Sequence, residues 1–178
     1  MSNVTFHSQP SRQQKRRRTE RILAVGALVL IGIALVLSSI RAESDLLSVL
    51  QQAVPEAELL ERQADGVYAA WADGDRQELI GYVAVGRASG YGGPLDLAVV
   101  VDPEGQIIGL QVVSHKETQS WYDRVADRNF EAGLLGKSYT DEFRLGADVD
   151  SVTGATYTAR AFAEAALDGS RLAAREMG

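Results

Sequence analysis

The longest apolar stretch of the chain lies near its N-terminus and predicts a helix that crosses a membrane. Residues Ile22–Ile40 read ILAVGALVLIGIALVLSSI, which is 19 residues without a charged side chain. About 20 residues at 1.5 Å each span the roughly 30 Å hydrocarbon core of a bilayer, and a helix satisfies its own backbone hydrogen bonds there. Arg21 and Arg41 flank the run and would lie at the two interfaces.

The charges on either side of this run predict its orientation. Six basic residues and one acid, Glu20, stand before position 22, whereas Glu43 and Asp45 follow the run. The positive-inside rule therefore predicts a cytoplasmic N-terminus and an exported C-terminal part. The alternative is a cleaved signal peptide, whose apolar region would be only about 7–15 residues long and would end in a small-residue cleavage site.

The rest of the chain contains short apolar runs separated by turns, which predicts an antiparallel sheet. Residues 88–94 (ASGYGGP) hold three glycines and predict a loop. Asp73-Gly74-Asp75 and Asp102-Pro103-Glu104-Gly105 predict tight turns. The runs with strand character that these segments separate cover residues 67–72, 78–87, 95–101 and 106–114.

Helical patterns stand before and after these strands. They cover residues 44–54, a short segment 55–62 with proline at its first position, a stretch beginning near Ser120, and residues 158–176. Neighbouring hairpins followed by helices predict the α+β class, with a mainly antiparallel sheet and flanking helices. We therefore divide the chain into a basic tail (1–21), a transmembrane helix (22–40), a helical linker (41–65) and one exported domain (66–178).

The composition excludes several classes of redox and metal protein. The chain has no cysteine and two histidines, His7 and His115. Disulfides, iron–sulfur ligation and c-type haem attachment are therefore excluded, and a metal site is not expected. Residues 41–178 hold 12 basic and 23 acidic side chains, so the part outside the tail is acidic and a nucleic-acid partner is not expected.

One polar segment stands directly before the last predicted helix and carries candidate chemistry. Residues 150–158 read DSVTGATYT, a glycine-containing turn with three threonines. The first N–H groups of a helix are unpaired and carry partial positive charge, so this place suits a phosphate group. The alternative is an ordinary helix cap, in which one threonine accepts a backbone hydrogen bond and the others belong to the turn.

This segment resembles the Asp-x-x-(Ser/Thr)-Gly-Ala-Thr flavinylation motif of the FMN-binding domain family. That family includes the G subunit of the Rnf electron-transport complex and the C subunit of the sodium-pumping NADH:quinone reductase. The resemblance implies that Thr156 is esterified to the phosphate of FMN by a separate flavin transferase. It also implies that Asp150, Thr153, Gly154 and Ala155 form the turn that the transferase recognises.

Two further segments resemble the Rnf-type members of the family. Ser89–Leu95 (SGYGGPL) resembles their Gly-Tyr-Gly-Gly-Pro loop, and Ser114–Thr118 (SHKET) resembles their His-Lys-Glu-Thr segment. The resemblance implies that Tyr91, His115, Glu117 and Thr118 belong to the flavin site. Residues 119–122 (QSWY) stand where Rnf-type proteins usually have Pro-Gly-Leu-Gly, so the surroundings of the flavin are expected to differ there.

The resemblance implies a membrane-anchored flavoprotein that carries covalent FMN and relays electrons within a membrane redox complex of the Rnf type. It also implies a bacterial inner membrane, with the C-terminal domain in the periplasm. It would act as an electron-transfer component rather than as a stand-alone enzyme, with the lipid bilayer and a flavin transferase as further partners. Two alternatives stay open. The chain could bind FMN or another phosphate ligand reversibly as a sensory module, or it could serve as the FMN domain beside a membrane ferredoxin-like regulator.

Overall fold

The computed structural model describes the backbone of residues 12–177 and the side chains of residues 27–177. Contacts divide the chain into two compact units, one that extends to Ser44 and one that begins at Asp45. Helix α1 (Arg12–Ala53) contributes to both units. Residues 1–11 of the predicted basic tail lie outside the described residues. For residues 12–21 the structure describes the backbone but not the side chains.

The first unit presents apolar side chains that nothing in the structure covers. Leu28, Leu30 and Leu37 are each more than 60% exposed, as a membrane-spanning helix requires. Within the described residues, Ala27–Ala53 is the one stretch of helix that is long and apolar enough to cross a membrane. The predicted span 22–40 begins before the first described side chain.

The second unit contains a five-stranded antiparallel sheet in which each strand pairs with the next one along the chain. This confirms the α+β class. The strands are β1 (Leu59–Ala64), β2 (Val67–Trp71), β3 (Leu79–Ser89), β4 (Pro94–Val101) and β5 (Ile107–His115). Two helices follow, α2 (Gln119–Ala126) and α3 (Thr156–Glu176), with the short 3-10 helix Phe130–Leu134 between them.

The segment that connects α1 to the sheet differs from the prediction. Residues 41–65 are helical only as far as Ala53, and the predicted short helix 55–62 is wrong because β1 occupies Leu59–Ala64. Pro55 is compatible with a helix start, but pairing with β2 satisfies the backbone groups of this segment instead. The sheet therefore begins before residue 66, the start of the domain that the sequence predicts.

Both faces of the sheet are buried, which explains why β4 is apolar at nearly every position. Leu97 and Val99 pack with α3 on one face, while Ala98 and Val100 pack with the end of α1 on the other. Successive side chains of a strand point to opposite faces, so a strand covered on both sides needs a continuous apolar run. The segment Leu95–Val101 (LDLAVVV) is such a run, interrupted only by Asp96.

Helix α3 lies unusually close to the sheet because small residues face each other. Apart from Thr158 and Phe162, its buried residues are alanines together with Gly169 and Ser170. A methyl group at Gly86 of β3 would overlap the carbonyl oxygen of Ala165 and the backbone of Gly169. The two backbones are therefore in direct contact, and this contact fixes where the first turn of α3 lies relative to the end of β3.

We expect Gly86→Ala to destabilise the domain by about 2 kcal/mol, because the added methyl group must separate α3 from β3. The unfolding temperature of the full chain in detergent, followed by near-ultraviolet circular dichroism, should fall by about 5 °C. The matched control is Gly133→Ala, where a new methyl group meets no atom within 4 Å. An equal unfolding temperature for both variants would contradict the close contact.

Candidate functional site

The segment 150–158 forms an irregular entry, a turn at Thr153-Gly154, and the first turn of α3. Gly154 has a φ of +81°, a left-handed conformation that glycine adopts without steric cost. Ala155 is buried and precedes the helix, whereas Thr156 is its first residue and is exposed. The turn thus presents the Thr156 hydroxyl to solvent.

The Thr156 hydroxyl is nearly free of protein partners. Its Oγ1 lies 3.5 Å from the carbonyl oxygen of Val152, at the outer limit for a hydrogen bond. The hydroxyl of Thr158, two residues further along α3, differs in that it is buried and donates to Oε2 of Glu117 at 2.8 Å. Of the two threonines in the first turn of α3, one therefore presents an accessible hydroxyl and the other is already hydrogen-bonded.

Two sources of positive charge lie near the segment that carries this hydroxyl. The N-terminal end of the 21-residue helix α3 carries the positive end of the helix dipole. The guanidinium group of Arg124, on α2, lies so close to Gly154 that a methyl group there would overlap its Nη1. Within residues 27–177 no ion pair is found for Arg124. An anionic group on Thr156 would therefore meet a favourable potential.

An aromatic cavity of about 410 Å³ opens beside Thr156. Tyr91 and Tyr157 are each 62% exposed, and their ring centroids lie 6.2 Å apart. The ring of Tyr91 also contacts that of Trp121 edge to face, with 4.3 Å between centroids. Exposed aromatic rings gathered around a cavity of this size suit a flat, conjugated ligand.

A second cavity, of about 540 Å³, is larger but lies on the other side of the motif. It is lined by Asp150, Ser151 and Val152 together with residues 128–130 and 146–149. We assign the candidate site to the smaller cavity, because only that cavity combines the exposed hydroxyl with an aromatic surface. Asp150 therefore borders the neighbouring cavity rather than the site itself.

His115 does not line the aromatic cavity. Its imidazole is stacked on the ring of Tyr122, with centroids 3.9 Å apart and planes at 3°, and its Nδ1 is buried without a hydrogen-bond partner.

Burial raises the pKa of the Tyr122 hydroxyl, and the charges of Glu131 and Asp123 add to the shift. Burial also raises the pKa of the Glu131 carboxyl group.

The structure brings together some of the residues that the sequence predicted and separates others. Four of the predicted residues line the aromatic cavity, namely Tyr91, Gly154, Ala155 and Thr156. Thr153 is exposed in the turn beside them. His115, Glu117 and Thr118 do not line the cavity; Thr118 is the residue before α2, and its carbonyl oxygen accepts hydrogen bonds from that helix.

The sequence-based prediction missed three residues of the site. Neither Tyr157 nor Arg124 is among the predicted site residues, and Trp121 is included only through the segment 119–122, where the surroundings of the flavin are expected to differ. One signal was present for Tyr157, because an exposed aromatic residue directly follows Thr156 on α3. No signal of comparable strength exists for Arg124, whose neighbour Gly154 is thirty residues away.

Comparison with known proteins gives the family. The profile of the FMN-binding domain matches residues 90–169. The G subunit of the ion-translocating oxidoreductase complex from Aliivibrio fischeri is 30% identical over 171 residues, which cover 80% of this chain and 80% of that protein. The protein of the same name from Stutzerimonas stutzeri is 33% identical over 96 residues, which cover 49% of this chain and 42% of that protein.

The chain therefore belongs to the FMN-binding domain family, alongside the G subunits of ion-translocating oxidoreductase complexes. The crystal structure of NqrC from Shewanella oneidensis covers 70% of this chain and 73% of its own, with 20% identity and a TM-score of 0.48. At that score we draw no conclusion from the likeness. The family match begins at Gly90 and ends at Gly169 within α3, so it includes every residue that lines the aromatic cavity.

We expect Glu131→Gln to stabilise the fold at neutral pH. A carboxyl group whose folded pKa is raised above the ordinary value of 4.5 stabilises the fold only while it is protonated, and this contribution is lost as the pH rises through the folded pKa. The unfolding temperature of the variant should therefore exceed that of the wild type at pH 7 but approach it at pH 4. The same substitution at exposed Glu164 should change neither value, and a pH-independent difference for Glu131→Gln would contradict the account.

Proposed function

We propose that this chain is a membrane-anchored flavoprotein that carries FMN in a covalent phosphoester to Thr156 and relays electrons within a membrane redox complex. The observation that carries the proposal is the exposed, almost unpartnered Thr156 hydroxyl at the start of α3, at the edge of the aromatic cavity. The family match supports FMN as the cofactor. The names of the relatives support a place in an ion-translocating oxidoreductase complex.

The residues at the site fit FMN. Tyr91, Trp121 and Tyr157 offer ring surfaces for the isoalloxazine, and the cavity lies in the size range of small-molecule sites. The start of α3 and Arg124 offer positive charge for the phosphate, worth about 0.3–1 kcal/mol for the helix dipole alone. When bound, FMN exchanges one or two electrons, which is chemistry that the side chains of a cysteine-free chain do not supply.

The ester bond requires an activated donor. We infer that a flavin transferase uses a phosphoanhydride of FMN, because a hydroxyl does not displace water from a phosphate under cellular conditions. With an anhydride that joins FMN to a second nucleotide, the bond from Thr156 Oγ to the phosphorus of FMN would form and the anhydride bond would break. The second nucleotide would leave, and the hydroxyl proton would be lost to a base. The product keeps one negative charge on the phosphate beside Arg124 and the start of α3.

The anchor and its orientation complete the proposal. The exposed apolar side chains of residues 27–40 require a lipid environment, and the basic residues before them favour a cytoplasmic N-terminus. The FMN-binding domain would then lie in the periplasm of the bacterial inner membrane, next to the other proteins of the complex. Covalent attachment would prevent loss of the flavin in a compartment where it is not easily replaced.

We expect Thr156→Ala to abolish flavin attachment without unfolding the protein, because the hydroxyl is exposed and makes one long contact. After co-expression with a flavin transferase, the wild-type band on a denaturing gel should fluoresce under ultraviolet light, and the variant band should be dark. Ser151→Ala is the matched control, since this exposed hydroxyl lies in the same segment outside the aromatic cavity.

Reversible binding would give a different result. A wild-type protein that is yellow when native but has the unmodified polypeptide mass after denaturation would support a reversible FMN-binding module. A wild-type protein that stays colourless in both states would contradict flavin binding altogether.

A further inference from the structure

Glu117 is a buried acid that makes no contact with the aromatic cavity. Only 7% of the residue is exposed, although it lies in the connection between β5 and α2. Its Oε2 accepts hydrogen bonds from Thr158 Oγ1 at 2.8 Å and from the backbone N–H of Gly92 at 3.3 Å. Its Oε1 is buried without a partner.

The two groups that bind Glu117 belong to the two sides of the candidate site. Gly92 is part of the glycine loop, which we define as residues 89–93, and Thr158 is in the first turn of α3. One carboxyl oxygen therefore links the loop that carries Tyr91 to the helix that carries Thr156. Hydrogen bonds to a carboxylate are stronger where water is excluded, and the bond from Thr158 is buried whereas the bond from Gly92 is partly buried.

The glycine loop also fits tightly against the segment that contains Glu117. A methyl group at Gly92 would lie 2.6 Å from the carbonyl oxygen of Lys116 and 2.7 Å from the N–H nitrogen of Thr118. A methyl group at Gly90 would overlap Oε1 of Glu117 and lie 3.2 Å from Cβ of Ala161 on α3. The loop can therefore approach both the 116–118 segment and α3 only because it lacks side chains at these positions.

Tyr91 stands between these two glycines, and its ring is exposed. The position of the ring is consequently set by the loop backbone on either side of it rather than by burial of the ring. Its contacts with Trp121 and Tyr157 close one side of the aromatic cavity. If the loop moved away from α3, this side of the cavity would open.

We propose that Glu117 is a positioning residue of the flavin site, which ties the glycine loop to the first turn of α3 and holds Tyr91 opposite Thr156 without touching the flavin. The inference rests on the proposed function, since it assigns Glu117 a role in that same site. The carboxyl group of Glu117 also occupies the hydroxyl of Thr158, which leaves Thr156 as the accessible threonine in this turn of the helix.

The first test uses the full chain in detergent, produced without a flavin transferase and therefore without covalent flavin. We expect amide hydrogen exchange across residues 89–93 to be at least about tenfold faster in Glu117→Ala, because a buried hydrogen bond to an acid is lost. Glu117→Gln keeps an oxygen that can accept from both donors and should exchange nearly as slowly as the wild type. Should Glu117→Ala not fold, Thr158→Val removes one donor and should change exchange in the same direction.

The matched control is Asp168→Ala. Asp168 also lies on α3 and accepts a hydrogen bond from a backbone N–H of the sheet, that of Arg87, at 3.0 Å. Loss of this hydrogen bond should speed amide hydrogen exchange near Arg87 and leave the exchange of residues 89–93 unchanged. Unchanged exchange at residues 89–93 in Glu117→Ala, or an equal change in Asp168→Ala, would overturn the proposal.

The second test uses the same variants after flavin attachment. Without the hydrogen bonds of Glu117, the flavin should be more accessible to iodide. The slope of a plot of fluorescence quenching against iodide concentration should be about twice as steep for Glu117→Ala as for the wild type, and Glu117→Gln should restore the wild-type slope. Equal slopes for all variants would overturn the role in the site. A wild type without flavin would instead contradict the proposed function, and the exchange result would still decide whether Glu117 ties the loop.

Discussion

The close contact between α3 and β3 is the constraint on which the rest of the domain depends. Gly86 and Gly169 allow the two backbones to touch, and the alanines of α3 keep the spacing small along the helix. The contact between α3 and β3 continues toward the first turn of the helix. The Cβ atom of Ala161 lies 3.2 Å from the position that a Cβ atom at Gly90 would occupy. The contact between α3 and β3 therefore places the start of α3 next to the glycine loop that follows β3.

This geometry explains why two threonines in one helical turn have different roles. Thr158 points inward, where Glu117 accepts its hydrogen bond, whereas Thr156 points toward solvent and the aromatic rings. A helix places residues two apart on different sides, so the segment offers one hydroxyl to the interior and one to a reactant. Arg124 then supplies charge from α2, an element remote in sequence.

The sequence predicted the local features well and the long-range ones poorly. The glycine loop, the antiparallel strands β2–β5 and the exposed Thr156 all follow from short patterns, such as the turn that precedes α3. Strand β1 does not, because Pro55 and polar Gln63 favour other structures and only pairing with β2 makes the segment a strand. The inward position of Glu117 depends on a partner 41 residues away, which no local pattern reveals.

The most direct test of the central claim is to locate the flavin within the chain. Trypsin should release the peptide of residues 145–160, which contains the hydroxyls of Ser151, Thr153, Thr156, Tyr157 and Thr158. In protein taken from its native membrane, fragmentation mass spectrometry should find this peptide heavier by FMN less one water, with the added mass on Thr156. An unmodified peptide, or a modification on any other residue, would contradict the account.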